Sequence, residues 1–91
     1  MQMYIGKVIG MVVATRKDET LVGKKLMVVE KTDANGKSLG IEEVAIDSVG
    51  AGKGEYVLVS KGSSARHVFG SPNSPIDAAI VGIIDNIEVQ P

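Results

Sequence analysis

Between residues 47 and 66 the chain reads DSVGAGKGEYVLVSKGSSAR, two glycine-rich turns around one short apolar strand. Gly50, Gly52 and Gly54 fall at alternate positions, residues 55–61 read as a strand, and Gly62-Ser63-Ser64 breaks it. Glycines in such clusters mark backbone at positive φ or a close approach of another backbone. No nucleophile–base pair stands out here, so the stretch specifies geometry before it offers chemistry.

Ninety-one residues make one domain, expected over 1–91, near the lower end of what folds alone. A chain this size buries only about two-thirds of the surface its unfolded form exposes, which leaves a monomer marginally stable. Hydrophobic residues make up 44%, yet the aromatics are only Tyr4, Tyr56 and Phe69, so the apolar content is chiefly aliphatic. Valine, isoleucine and eleven glycines favour a compact β fold over a helical bundle. A small aliphatic barrel without disulfides invites oligomerisation as a further source of stability.

The absence of cysteine excludes disulfides and thiolate metal sites and fits a reducing cytoplasm. The net charge is −1 with both signs interspersed, so neither a polybasic patch nor a charged tail is expected. The start, MQMYIGKVIGMVVATRK, does not read as a signal peptide, because Lys7 splits the apolar run and no small-residue cleavage site follows. The uncharged apolar run 8–14 is too short to span a bilayer as a helix. These features predict a soluble, intracellular protein.

In chain order, residues 3–15 read as a first strand with Gly6 and Gly10 as bulges or bends. The run 8–13 is apolar on both faces, which predicts burial on both, the second face being a candidate subunit contact. Arg16-Lys17-Asp18-Glu19 reads as a solvated loop. Residues 24–33 and 39–49 are the next strands, joined at Asn35-Gly36, which predicts a type I′ hairpin. Glu42 and Glu43 would point to opposite faces as surface charge. Residues 63–69 predict a short helix with Ser63 as N-cap, and 70–75 a mobile turn-rich loop. Residues 76–89 predict the last strand, two-faced from 78 to 84 and alternating from 85.

Chemistry finds little support in this pattern. Gly50-Ala51-Gly52-Lys53-Gly54 resembles a phosphate loop, but a strand follows where a Rossmann fingerprint needs a helix, and its glycine spacing differs. Gly23-Lys24-Lys25 lacks the upstream glycine of a P-loop, since position 18 is Asp. His67 is the only histidine, too few for a transition-metal site. Asp47, Asp77 or Asp85 beside it, with Ser63 or Ser64 as nucleophile, would be needed for catalysis. A five-stranded barrel with a short helix before its last strand suggests an OB-like fold, which often binds single-stranded nucleic acid. Few aromatics and no basic stripe oppose that, although Lys53, Lys61 and Arg66 could cluster. An Arg66–Asp77 salt bridge is the blander use of those residues.

Four segments, VVATRK (12–17), GKKLMVVE (23–30), DSVGAGKGEYVLVSKGSSAR (47–66) and PIDAAIVGIID (75–85), together resemble the pentameric vertex proteins of bacterial microcompartment shells, of carboxysome and ethanolamine-utilisation type. The likeness runs in order along essentially the whole chain. It implies an all-β, small five-stranded OB-like barrel with one short helix, assembling as a cyclic pentamer. It implies a structural rather than enzymatic role, without cofactor or metal: capping the vertices of a polyhedral shell and allowing it to close, with a narrow axial pore. The implied partners are four more copies of the chain and hexameric shell proteins, in the cytoplasm, with neither nucleic acid nor membrane. Subunit-interface or pore candidates are Gly50, Ala51, Gly52, Lys53, Gly54, Ser63, Ser64, Arg66 and Asp77. Glycines would let five backbones approach, and Lys53 or Arg66 repeated fivefold would bias a pore towards anions. The alternative reading is that the glycines only shape turns inside one subunit. An OB-like module for nucleic acid or a small anionic ligand is the alternative function.

Overall fold

The computed structural model describes residues 2–15, 17–68, 70 and 74–90. Strands β1 (Gln2–Val12), β2 (Lys25–Thr32), β3 (Ser38–Asp47), β4 (Tyr56–Lys61) and β5 (Ala78–Ile83) close into a barrel in the order β1-β2-β3-β5-β4. One helix, α1 (Ser63–Val68), connects β4 to β5, and a 3-10 turn at Glu19–Leu21 precedes β2. The pairing of β3 with β5 is parallel, and the rest are antiparallel.

Strand alternation sends every second side chain inward. Val8, Met27, Val29, Ala45, Val57, Val59, Ala78 and Ile80 fill the barrel, together with Ala51 from the glycine loop. A second cluster lies on the outer face of β2 and β3, where Leu21, Leu26 and Ile46 pack with Val12, Val44 and Ile76. This cover accounts for the unbroken apolar sequence of β2: both of its faces are buried. The run 8–13 is different. Val8 is fully buried and Val12 joins the outer cluster, but Met11 is 56% and Val13 88% exposed. Met11 and Val13 of that run are not covered within one chain.

Glycines in the first strand have two separate jobs. The pairing of β1 with β2 shifts register between Val8 and Gly10, a bulge at the expected place. Gly6 instead marks a close approach. A Cβ there would overlap Val29 Cγ1 and sit 3.0 Å from the Glu30 carbonyl oxygen.

Several expectations need correction. The Asn35-Gly36 turn is not type I′, because only Gly36 has positive φ (83°) and Asn35 does not. Asp33 organises it: its carbonyl accepts the Gly36 N–H at 3.0 Å, and its Oδ1 accepts the N–H groups of Asn35 and Lys37. That is a type I turn followed by a left-handed glycine, the arrangement of a three-residue hairpin loop. The last strand ends at Ile83 and not near residue 89. Ile84 donates to Tyr56 O, the first residue of β4, and the Glu55 carbonyl beyond is already taken by Val8 N. With no ladder left, the alternating residues 85–89 are not a strand.

Ser63 is the first residue of α1 and not its cap, since the Gly62 carbonyl accepts from Ala65 and Arg66 N–H. The expected helix end at Phe69, and Ser71, Pro72 and Asn73 of the expected mobile loop, lie outside the described residues. β3 carries a bulge of its own. Glu30 faces Glu42 and Thr32 faces Ser38, so Leu39-Gly40-Ile41 stand opposite Lys31 alone. Gly40 adopts φ 75° there, and Leu39 and Ile41 are 54% and 51% exposed.

Gly6→Ala is expected to destabilise the chain by about 2–3 kcal/mol in urea or thermal unfolding, because fully buried Val29 has no room to yield. Gly10→Ala, with nothing within 4 Å of the added Cβ and no positive φ, should change stability by less than about 0.5 kcal/mol.

Candidate subunit-contact site

The inward-facing positions that are apolar at mid-barrel become charged at its ends. Lys25 and Lys31 are in phase with Met27 and Val29, Glu43 and Asp47 with Ala45, Lys61 with Val57 and Val59, and Tyr4 with Val8. Each end of the barrel therefore closes over a polar cluster, and the candidate contact residues sit on these two clusters.

The glycine loop closes one end. The Asp47 side chain, 2% exposed, accepts the N–H groups of Val49 (3.0 Å) and Gly50 (3.1 Å) through Oδ1. Lys25 Nζ lies 3.8 Å from Asp47 Oδ2 and donates to the Ala51 carbonyl at 3.2 Å. These bonds direct Ala51 into the barrel, where it is fully buried. Gly52 N–H donates to Glu55 Oε1 at 2.6 Å, and Gly54 N–H to the Val8 carbonyl at 2.7 Å, which pins the loop to β1. Gly50 and Gly54 have φ of 82° and 91°, with open space where a Cβ would be. Positive φ is what demands glycine there within one chain. Lys53 is exposed on the turn.

The helix excursion closes the other end. Lys61 Nζ donates to Glu43 Oε2 and to Asp77 Oδ1, both at 2.9 Å. The Tyr4 hydroxyl donates to Glu43 Oε1, and Lys31 Nζ lies 4.5 Å above the centre of the Tyr4 ring. Burial and the hydrogen bond to Glu43 push the Tyr4 phenol far above its ordinary range. Burial works against the Lys61 ammonium, but the bonds to Glu43 and Asp77 outweigh it and raise Lys61. The bond from Lys61 holds the Asp77 carboxyl below the usual carboxylate range. Gly62 N–H donates to the Asp77 carbonyl at 2.9 Å, and Arg66 Nε to the Ser74 carbonyl at 3.1 Å. Ser63 is exposed and Ser64 half-buried on α1.

Two expectations are corrected here. Asp77 pairs with Lys61 and not with Arg66, because Lys61 faces inward from the adjacent strand while Arg66 turns to a loop carbonyl. Glu42 and Glu43 do point to opposite faces, but Glu43 is an internal acceptor for Tyr4 and Lys61 and not surface charge. Tyr4, Glu43 and Lys61 are not among the interface or pore candidates that the sequence offers. The signal for them was their phase: each continues the inward register of its strand.

The candidates thus form two groups, Gly50–Gly54 at one end and Ser63, Ser64, Arg66 and Asp77 at the other, separated by the six residues of β4, or about 20 Å. Lys53 is therefore remote from Lys61 and Arg66, and Lys61 is committed to two carboxylates, so these residues form no basic groove. His67 is exposed and makes no ion pair among the described residues. No group of three or more His, Cys, Asp or Glu among the described residues could hold a metal. Nor is any described helix long and apolar enough to cross a membrane.

Residues 3–85 match the family model described as ethanolamine utilisation protein EutN/carboxysome. The chain is 52% identical over 89 residues to the microcompartment shell vertex protein PduN of Salmonella typhimurium, covering 93% of this chain and 98% of that protein. It is 48% identical over 85 residues to the carboxysome shell vertex protein CcmL of Thermosynechococcus vestitus, covering 93% and 86%. Among solved structures, the GrpN pentameric microcompartment shell protein of Rhodospirillum rubrum superposes with a TM-score of 0.86 at 50% identity, over 96% of this chain and 99% of that one.

Asp47→Ala strips the Val49 and Gly50 N–H groups of their acceptor and leaves Lys25 without its carboxylate. A loss of about 2 kcal/mol in unfolding free energy is expected, measured by denaturant titration.

Proposed function

Since the chain belongs to the EutN/carboxysome family of microcompartment shell vertex proteins, we propose that it is a structural shell component whose pentamers cap the vertices of a bacterial microcompartment and let its shell close. The observation that supports this reading is a likeness to a pentameric shell protein that extends over nearly the whole of both chains, at 50% identity and a TM-score of 0.86. On this reading the protein works within the cytoplasm, in the shell, with residues 1–91 acting as one vertex domain and without turnover chemistry.

The physical logic is one of curvature. A flat hexagonal layer, built from the expected hexameric partners, cannot close on itself, and fivefold units supply the missing curvature. A cyclic ring uses a heterologous interface, in which one patch docks on a different patch of the next subunit. The uncovered aliphatic side chains Met11, Val13, Leu39 and Ile41 offer apolar material for such contacts on a chain with little core of its own. Gly50–Gly54, Ser63, Ser64, Arg66 and Asp77 remain the candidates for interface and axial pore. An exposed Lys53 on the glycine loop, repeated fivefold, would make that pore selective for anions.

Native mass spectrometry is expected to give about five times the 9.5 kDa chain mass, through closed cyclic symmetry. A monomer with salt-sensitive affinity for oligonucleotides would instead support the OB-like binding module. Arg66→Ala is expected to weaken the pentamer and impair shell closure, and unchanged behaviour in both would remove Arg66 from the interface.

A further inference from the structure

The seams of this barrel are unequal. The β1–β2, β2–β3, β1–β4 and β4–β5 seams carry extended backbone ladders, whereas the β3–β5 ladder pairs only Ile46↔Ala79 and Asp47↔Ile80, with the Ser48 hydroxyl donating to the Ile80 carbonyl at 2.6 Å beside it. Away from that short ladder, the two sides are joined through a third strand. Lys61 of β4 reaches Glu43 on β3 and Asp77 just before β5, each at 2.9 Å. Asp77 holds a second connection, since its carbonyl accepts the N–H of Gly62, the residue that leads into α1.

We propose that Lys61 is a charge latch across the β3–β5 seam, seating the helical excursion while it is engaged. When the lysine or its carboxylates are neutralised, β5 and α1 open locally while the β1–β2 and β2–β3 ladders stay formed. Local opening of this kind occurs where few backbone bonds hold a structure together, which here is the two-pair β3–β5 seam and the helix beyond it, with β5 remaining paired to β4 on its other side. The groups that face the latch are Tyr4 from β1, Lys31 from β2, Glu43 from β3, Arg66 from α1 and Asp77 from the lead-in to β5.

The direction of the pH response follows from the two shifts. Asp77 is lowered, so its contribution is complete above the ordinary carboxylate range and is lost as pH falls through its lowered value. Lys61 is raised, so its contribution is complete below the ordinary lysine range and is lost as pH rises through its raised value. The latch is therefore engaged across the neutral range and released at either extreme.

Amide hydrogen exchange on the full chain, with each rate divided by its intrinsic rate at that pH, tests this. At neutral pH, Lys61→Met is expected to lose about tenfold or more of protection in β5 and α1, the loss of a charged hydrogen bond, with β1–β2 amides unchanged. Lys61→Arg should retain protection. The unsubstituted chain should keep that protection down through the ordinary carboxylate range and show the same selective loss only as pH falls through the lowered Asp77 value. Should Lys61→Met not fold, Asp77→Asn, which keeps the backbone bond to Gly62, must give the selective loss instead. Uniform loss over all strands, or full protection in β5 without the latch, overturns the proposal. Exchange resolved by segment is read separately from native mass, so failure of the latch and failure of the ring are distinguishable.

Discussion

A barrel of five short strands has an interior only a few side chains deep, and that limit governs this structure. The middle of the interior is filled by Val8, Met27, Val29, Val57, Val59 and Ile80. Gly6 shows how tight the fit is, since Val29 occupies the volume its side chain would need. Above and below this layer the inward positions can no longer be covered by apolar neighbours. They are filled by charged and hydroxyl groups that satisfy one another, and among the described residues no buried side-chain polar atom lacks a partner. Fold and polar networks are thus one arrangement: the closer the strands run to the ends, the more their pairing depends on side chains.

Much of this was legible in the residues. The five strands, the short helix and the bulge near Gly10 followed from aliphatic runs and glycine spacing, because those signals are local. What was not legible depended on contacts far apart in sequence. Tyr4 meets Glu43 and Glu43 meets Lys61 only after the barrel closes, so adjacency could nominate Arg66 for Asp77 but not Lys61. The Asn35-Gly36 turn was misassigned for a related reason: the Asp33 side chain supplies three-residue loop geometry that the dipeptide alone does not encode. Residues 85–89 alternate as a strand does, yet nothing lies beside them to complete a ladder.

The glycine loop illustrates how one pattern serves different ends. Its spacing resembles a phosphate cradle, but its amides are spent on Asp47, Glu55 and Val8, and its alanine fills the barrel. A loop with its N–H groups already paired is a stopper for one end of the barrel and not an anion nest. Its turns are set by φ at Gly50 and Gly54, so the backbone is rigidly defined before any neighbour arrives.

The bulge in β3 has a consequence for growth. Strand edges with regular hydrogen-bonding repeats can accept further strands without limit, the route to fibres. Leu39-Gly40-Ile41 interrupts that repeat on β3, where left-handed Gly40 turns the backbone out of register. A second chain cannot simply extend the sheet along this edge. A protein whose assembly must stop at a finite number is well served by an edge that refuses to propagate.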